Sequence, residues 1–148
     1  MKWLPLLLAL PALGACGDFP RDQSGTLERL RQEKVVRVGL VASAAPSPHA
    51  SLLRALADRS AAAAGARTLV LEEAAEPLLL MLEAGELDLV VGEFDRSSPW
   101  YHRVHLLPPL ARDQRGESQV EATAAARNGE NGWIMLLERE ARALSQVQ

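Results

Sequence analysis

The chain has little sulfur and few rings. Its 148 residues include one cysteine, one tyrosine, two phenylalanines and three tryptophans. A lone cysteine excludes an internal disulfide, so the fold must rest on packing. Scarce aromatics leave Leu, Val and Ala to fill the core. No basic stripe or cluster interrupts a formal net charge of −3, which argues against a nucleic-acid-binding surface. One long apolar run occurs, Leu4 to Leu13. It is shorter than the roughly 20 residues that a membrane span needs. The chain shows no Gly-rich phosphate loop, no Ser/His/Asp order and no free nucleophilic cysteine, so neither an enzyme nor a cofactor is indicated. No internal repeat is visible.

What is present begins with Cys16. Lys2 supplies a positive start, Leu4 to Leu13 an apolar stretch, and Leu13-Gly14-Ala15-Cys16 follows at once. Ordinary secretory cleavage after Ala15 favours a small side chain two positions earlier, where Leu13 stands. The segment resembles a bacterial lipoprotein signal. That resemblance implies removal of residues 1–15, acylation of Cys16, and attachment on the periplasmic side of a bacterial membrane. Each buried CH₂ contributes about 0.8 kcal/mol, so more than one acyl chain anchors stably. Residues 16–25 are polar, include Pro20, and read as a tether. Residues 26–148 have the length of one domain.

Within that domain helices and strands alternate. Thr26 caps a helix running to about Glu33, and the β-branched run Val35 to Val41 is a buried strand. Ala42 to Pro48 is a loop. Ser47 and Pro48 open a helix that Gly65 ends, with Leu52, Leu53, Leu56 and Ala63 along one stripe. Arg67 to Leu71 is a short strand. Pro77 to Gly85 is a helix, and Leu87 to Gly92 a strand that enters a glycine. This order implies βαβ units on a largely parallel sheet. Glu93 to Tyr101 is a polar loop, Arg103 to Leu107 a strand, and Ala111 to Ser118 a charged loop. Val120 to Arg127 reads as helix by its alanines and as edge strand by its placement. Asn128-Gly129 is a turn, and Asn131 to Ser145 a helix with Trp133, Leu136, Leu137, Ala141 and Leu144 on one face.

Two segments carry a family likeness. Leu27-Glu28-Arg29-Leu30-Arg31-Gln32-Glu33-Lys34-Val35-Val36-Arg37-Val38-Gly39 resembles the opening of a family 3 extracellular solute-binding domain. Leu82-Glu83-Ala84-Gly85-Glu86-Leu87-Asp88-Leu89-Val90-Val91-Gly92 resembles its helix, glycine and aspartate-bearing strand. Ser98-Pro99-Trp100 followed by Arg103-Val104 is similar to a recurrent loop and strand. The likeness spans roughly Thr26 to Leu110 and, more loosely, Asn128 to Leu144. It implies an α/β lobe with a mostly parallel central sheet flanked by helices, and a role as receptor of an ABC importer. Members usually have two lobes joined by a hinge. Here a short charged loop stands between Leu110 and Val120, where the second lobe would be inserted. Amino-acid binders of the family place an arginine after the glycine, where Trp100 stands in this chain. An indole cannot supply a guanidinium fork for a carboxylate. Arg96 and Arg103 are the nearest substitutes in sequence.

In open α/β sheets ligands sit beyond the carboxyl ends of the strands. Two loops leave such ends. The first holds Ser43; the second holds Glu93, Asp95, Ser97, Ser98, Trp100 and Tyr101. Carboxylates, hydroxyls and aromatic faces suit a polar or cationic solute. One lobe offers one wall, so binding should be weak. No metal site is expected: on a strand His102 and His105 would point to opposite faces, although as loop residues they could share an ion, and His49 reads as a surface residue. Asp88 reads as structural, and Glu72, Glu73 and Glu76 as favouring a helix dipole. The reading is a noncatalytic, membrane-anchored solute-binding-like lipoprotein, a candidate component of an ABC-type transporter. The alternative is an accessory lipoprotein that has lost solute binding and docks on a membrane protein. Trp133 and Leu137 would then contribute to an exposed patch instead of a core.

Overall fold

The computed structural model describes residues 21–42 and 47–146. Cys16, the signal and Ser43 lie outside the described residues. Four helices, α1 (Thr26–Glu33), α2 (Ala50–Ala63), α3 (Ala75–Ala84) and α4 (Asn131–Ser145), surround six strands. The strands are β1 (Val35–Val41), β2 (Arg67–Glu73), β3 (Leu89–Asp95), β4 (His105–Leu106), β5 (Ala111–Arg115) and β6 (Ser118–Ala126). A 3-10 turn spans Pro99–His102. None of the described helices is long and apolar enough to cross a membrane.

The sheet order is β2-β1-β3-β6-β4, with β5 also paired to β6. Its heart, β2-β1-β3, is parallel, as the alternating order implies; β6 then joins β3 antiparallel and carries β4 and β5 on its far side. Side-chain alternation divides the core into two layers. Val36, Val38, Leu89, Val91, Ala122 and Ala124 meet Leu53 and Leu56 of α2 and Trp133 and Leu137 of α4 on one face. Val90, Phe94 and Ala125 meet Leu78, Leu79 and Leu82 of α3 on the other. Trp133 and Leu137 are fully buried, so the terminal helix packs as core and offers no patch through them. Gly92 is fixed by close approach: a Cβ there would lie 2.5 Å from Cγ2 of Val41 on β1.

Several sequence expectations shift. Gly25, not Thr26, is the N-cap of α1, because the Thr26 N–H is taken by a carboxylate from across the molecule. Helix α2 begins at Ala50; the Ser47 hydroxyl accepts the His49 N–H instead of capping the helix directly. The segment 103–107 is mostly turn, with only His105–Leu106 paired. The charged loop is a strand: Ala111–Arg115 pairs with β6 around a two-residue turn at Gly116-Glu117. The ambiguous alanine segment is β6, an inner strand between β3 and the β4/β5 pair. Glu72 and Glu73 end β2, so only Glu76 lies in the first turn of α3. The tether is docked on the domain from Asp22 onward. Asp22 accepts the Leu27 N–H at 2.6 Å and the Trp133 N–H at 2.9 Å, tying the starts of α1 and α4 together.

Glu130 completes that junction. Its carboxylate accepts N–H groups from Ser24 at 2.9 Å and Thr26 at 3.1 Å, and pairs with Arg127 at 3.1 Å. Burial pushes its pKa up, but the hydrogen bonds from Thr26 and Ser24 outweigh it and hold the acid below its ordinary 4.5. A depressed folded pKa gives stability that is present above the unfolded value and lost as pH falls through the folded one. Glu130→Gln should therefore cost about 1–2 kcal/mol at pH 7. The deficit should shrink as pH drops below 4.5, which urea unfolding of both proteins along a pH series would measure.

Candidate functional site

The carboxyl ends of β1 and β3 open towards the turn before α2. Glu93 emerges there, opposite Ala122 of β6, which in turn faces Ala111 of β5. This register brings β5 side chains alongside a β3 carboxylate. Glu93 accepts the Ser47 hydroxyl through one oxygen and the Arg115 guanidinium through the other. Its side chain is 7% exposed. His49 Nε2 lies 2.9 Å from Asp113 Oδ2. Ligand-type atoms of His49, Glu93 and Asp113 all fall within 4.8 Å of one another. One imidazole and two carboxylates could hold a divalent ion by donor type. Each group already has a protein partner, so an internal ion-pair network also accounts for the arrangement.

The sequence located Glu93 but not its company. His49 is half-buried in the cluster instead of standing on the surface. Asp113 and Arg115 were hidden in a segment that reads as loop. Only strand pairing brings them to Glu93, and a charge-rich strand has no apolar period to betray it.

The other candidates separate. Asp95 turns back on Ser97, accepting its N–H at 2.8 Å and its hydroxyl at 2.6 Å; these bonds hold its pKa below the ordinary value. The Ser98 hydroxyl caps the 3-10 turn by accepting the Trp100 N–H at 3.4 Å. Trp100 packs against the α3-side core, and the Arg103 guanidinium lies 4.1 Å from its ring centre. Arg103 is itself bound to Glu83, and its guanidinium covers one indole face. Arg96 reaches Gln119 at 3.0 Å. His105 pairs with Glu138 at 3.2 Å, and His102 takes no part in that contact.

Tyr101 belongs to a second polar group on the opposite face of the sheet. Its hydroxyl donates to Glu121 at 2.7 Å, and Arg112 donates to the same carboxylate at 3.0 Å. Arg96, Ser97, Ser98, Tyr101, Arg112 and Glu121 border an open groove of about 1120 Å³. Burial opposes ionisation of Glu121, yet the bonds from Tyr101 and Arg112 hold its pKa below the usual 4.5. Burial, followed by the Glu121 carboxylate, pushes the Tyr101 phenol up to about 12.

Comparison with known proteins places this geometry in a fold. No family model and no curated protein matches the sequence. Solved structures do. The arginine-bound domain 1 of TmArgBP superposes with a TM-score of 0.65 at 16% identity, covering 78% of this chain and 97% of that one. An amino acid ABC transporter substrate-binding protein from Streptococcus pneumoniae, bound to L-arginine, gives 0.66 at 9% identity, covering 82% and 92%. An ancestral cyclohexadienyl dehydratase gives 0.66 at 8%, covering 87% and 93%. The expected α/β lobe is thus the fold adopted, that of a solute-binding-protein domain, and the same fold also serves an enzyme.

Tyr101 is the only tyrosine, so its ionisation can be read without assignment. Phenolate absorbance should rise with a midpoint near 12 in the folded protein, against an ordinary value of 10. Glu121→Gln should lower the midpoint without fully restoring it, because burial remains. Far-UV circular dichroism along the same titration separates ionisation from alkaline unfolding. A midpoint near 10 in folded protein would contradict the Tyr101–Glu121 contact.

Proposed function

We propose that this chain is a noncatalytic, membrane-tethered solute-binding lobe that works beside an ABC-type transporter on the periplasmic side of a bacterial membrane. The observation that carries this reading is the near-complete match to a single lobe of an arginine-binding protein. The β5–β6 hairpin closes the lobe at Gly116, in the stretch where the sequence resemblance places the insertion of a second lobe. The solute would meet the strand-end cluster formed by Ser47, His49, Glu93, Asp113 and Arg115, with Asp95 two residues further along β3. Glu93 and Asp113 suit an ammonium or guanidinium, and Arg115 suits a carboxylate. Ser97, Ser98 and Tyr101 border the separate groove at Glu121, and Trp100 packs against the α3-side core, so none of them adjoins this cluster.

Capture proceeds here without hinge closure. Tight small-molecule sites bury roughly 70–90% of the ligand, and one wall falls short of that. The same openness supports a noncatalytic role, since catalysis by positioned charges gains its strength in a water-excluded site. Attachment through acylated Cys16 would offset weak affinity by holding the lobe close to a transporter.

Amide NMR of residues 17–148, a span that contains every described core contact, tests the site. L-Arginine, other amino acids, polyamines and sugars are the probes. Saturable shifts should centre on Ser47, His49, Glu93, Asp113 and Arg115, and Glu93→Gln should weaken a cationic ligand about tenfold. A well-folded spectrum that no probe moves overturns solute capture and favours the accessory, docking role. Anchoring has its own test. In bacteria fed an alkyne-tagged fatty acid, the full chain should take up label and sediment with membranes, and Cys16→Ala should do neither.

A further inference from the structure

Strand β2 ends the sheet, and no described residue pairs with its outer side. Its central side chains are unusually open for apolar residues: Leu69 is 57% exposed, Val70 47% and Leu71 42%. Natural sheets protect such an edge with lysine, proline, a bulge or a covering segment. The sequence Arg67-Thr68-Leu69-Val70-Leu71-Glu72-Glu73 contains no lysine or proline and carries charge only at its ends, on Arg67, Glu72 and Glu73, so Leu69, Val70 and Leu71 stand unprotected, and its pairing with β1 runs without a bulge.

Its pattern is instead complementary to itself when reversed. Set antiparallel about Val70, Val70 meets Val70 of a second copy, Leu69 meets Leu71, Thr68 meets Glu72 and Arg67 meets Glu73. The cation at one end therefore faces a carboxylate at the other, twice. Among the described residues Arg67 makes no ion pair within its own chain. The backbone agrees with this register. Arg67 donates its N–H inward to Lys34, and Glu73 accepts inward from Ala42. Odd-numbered residues of β2 thus face β1, and Thr68, Val70 and Glu72 turn their N–H and C=O groups outward. Those three form the hydrogen-bonded pairs of the reversed register, giving about six main-chain bonds. Leu69/Leu71 and Arg67/Glu73 fall in the non-hydrogen-bonded pairs, where side chains approach most closely.

We propose that β2 is a homodimerisation edge: two copies pair β2 antiparallel about a two-fold axis at Val70, joining their sheets into one. The contact is isologous, so it uses up both edges and closes. The axis also sends the strand ends of the two lobes in opposite directions. The dimer therefore does not rebuild a two-walled cleft, and each strand-end cluster stays open.

Cysteine pairing in the full chain tests the register. The natural chain's only cysteine is Cys16, so unmodified protein gives the background. Val70→Cys places two thiols across the axis at about 5.5 Å between Cα atoms, within reach of a disulfide. It should give a covalent dimer under mild oxidation. Thr68→Cys alone should not, nor Glu72→Cys alone, whereas the two mixed together should link. These positions are open or half-open on the edge, so the fold is not at risk. Arg67→Glu should reduce the Val70→Cys dimer yield about tenfold, and adding Glu73→Arg should restore it. Absence of the Val70→Cys dimer, or equal linkage by Thr68→Cys alone, overturns the proposal. Sedimentation of the cysteine-free Cys16→Ser chain as a monomer at 0.5 mM would do the same.

Discussion

The structure depends on the carboxylate of Asp88. Its side chain is 1% exposed, and it receives the guanidinium groups of Arg29 from α1 and Arg37 from β1. It also accepts the Arg37 backbone N–H at 2.8 Å, while its own carbonyl receives the Trp133 indole N–H at 2.8 Å. One residue just before β3 thus fixes the first helix, the first strand and the last helix. The bond to Asp88 is also the main reason that Arg37 holds its proton more firmly than a free arginine. A buried carboxylate is tolerable only when its partners offset the loss of water, and removing one partner from such a pair commonly costs several kcal/mol. Both arginines keep about a third of their surface in solvent, which moderates that cost. What the arrangement supplies is alignment: β1 and β3 are held in register at the start, so their far ends open together.

That alignment explains where the chemistry can sit. The starts of β1 and β3, with Asp22, Asp88 and Glu130, are closed by saturated charge pairs and helix caps. The ends carry a second group of paired polar side chains, namely Ser47, His49, Glu93, Asp113 and Arg115. Parallel strands concentrate one kind of terminus at each end, and loops at the carboxyl ends are free to vary. The β5–β6 hairpin then contributes two charged residues to that end at little structural expense, since β5 is held by backbone pairing and buries little side-chain surface.

Much of this was legible before folding. Helices α1, α2 and α4 announce themselves by apolar stripes, and β1 and β3 by β-branched runs, because burial on a helix or strand face imposes a period. β5 was not, because Ala-Arg-Asp-Gln-Arg has no buried face to impose one. β6 misleads in the opposite way. Its alanines favour a helix in isolation, but Ala122, Ala124 and Ala126 are small because α2 and α4 pack closely over them. The site divides along the same line. Glu93 follows from the rule of strand ends, whereas Asp113 and Arg115 follow only from register. Trp100 drew attention as a scarce aromatic, yet its face is largely accounted for by Arg103 and the α3-side core.

If the lobe captures solute as proposed, the occupied state of Glu93 limits what it would select. A solute with a guanidinium or ammonium group must replace Arg115 or the Ser47 hydroxyl on that carboxylate. Exchange of one guanidinium for another returns little free energy from Glu93 itself, because the bond broken matches the bond formed. Net gain must come from elsewhere: from Asp113 once His49 gives way, from a solute carboxylate taken by the released Arg115, or from a second wall outside this chain. A zwitterion that carries both charges satisfies Glu93 and Arg115 together, whereas a simple cation leaves Arg115 without its partner. A cluster that captured solute as proposed would therefore discriminate by charge pairing across the solute more than by the strength of any one contact.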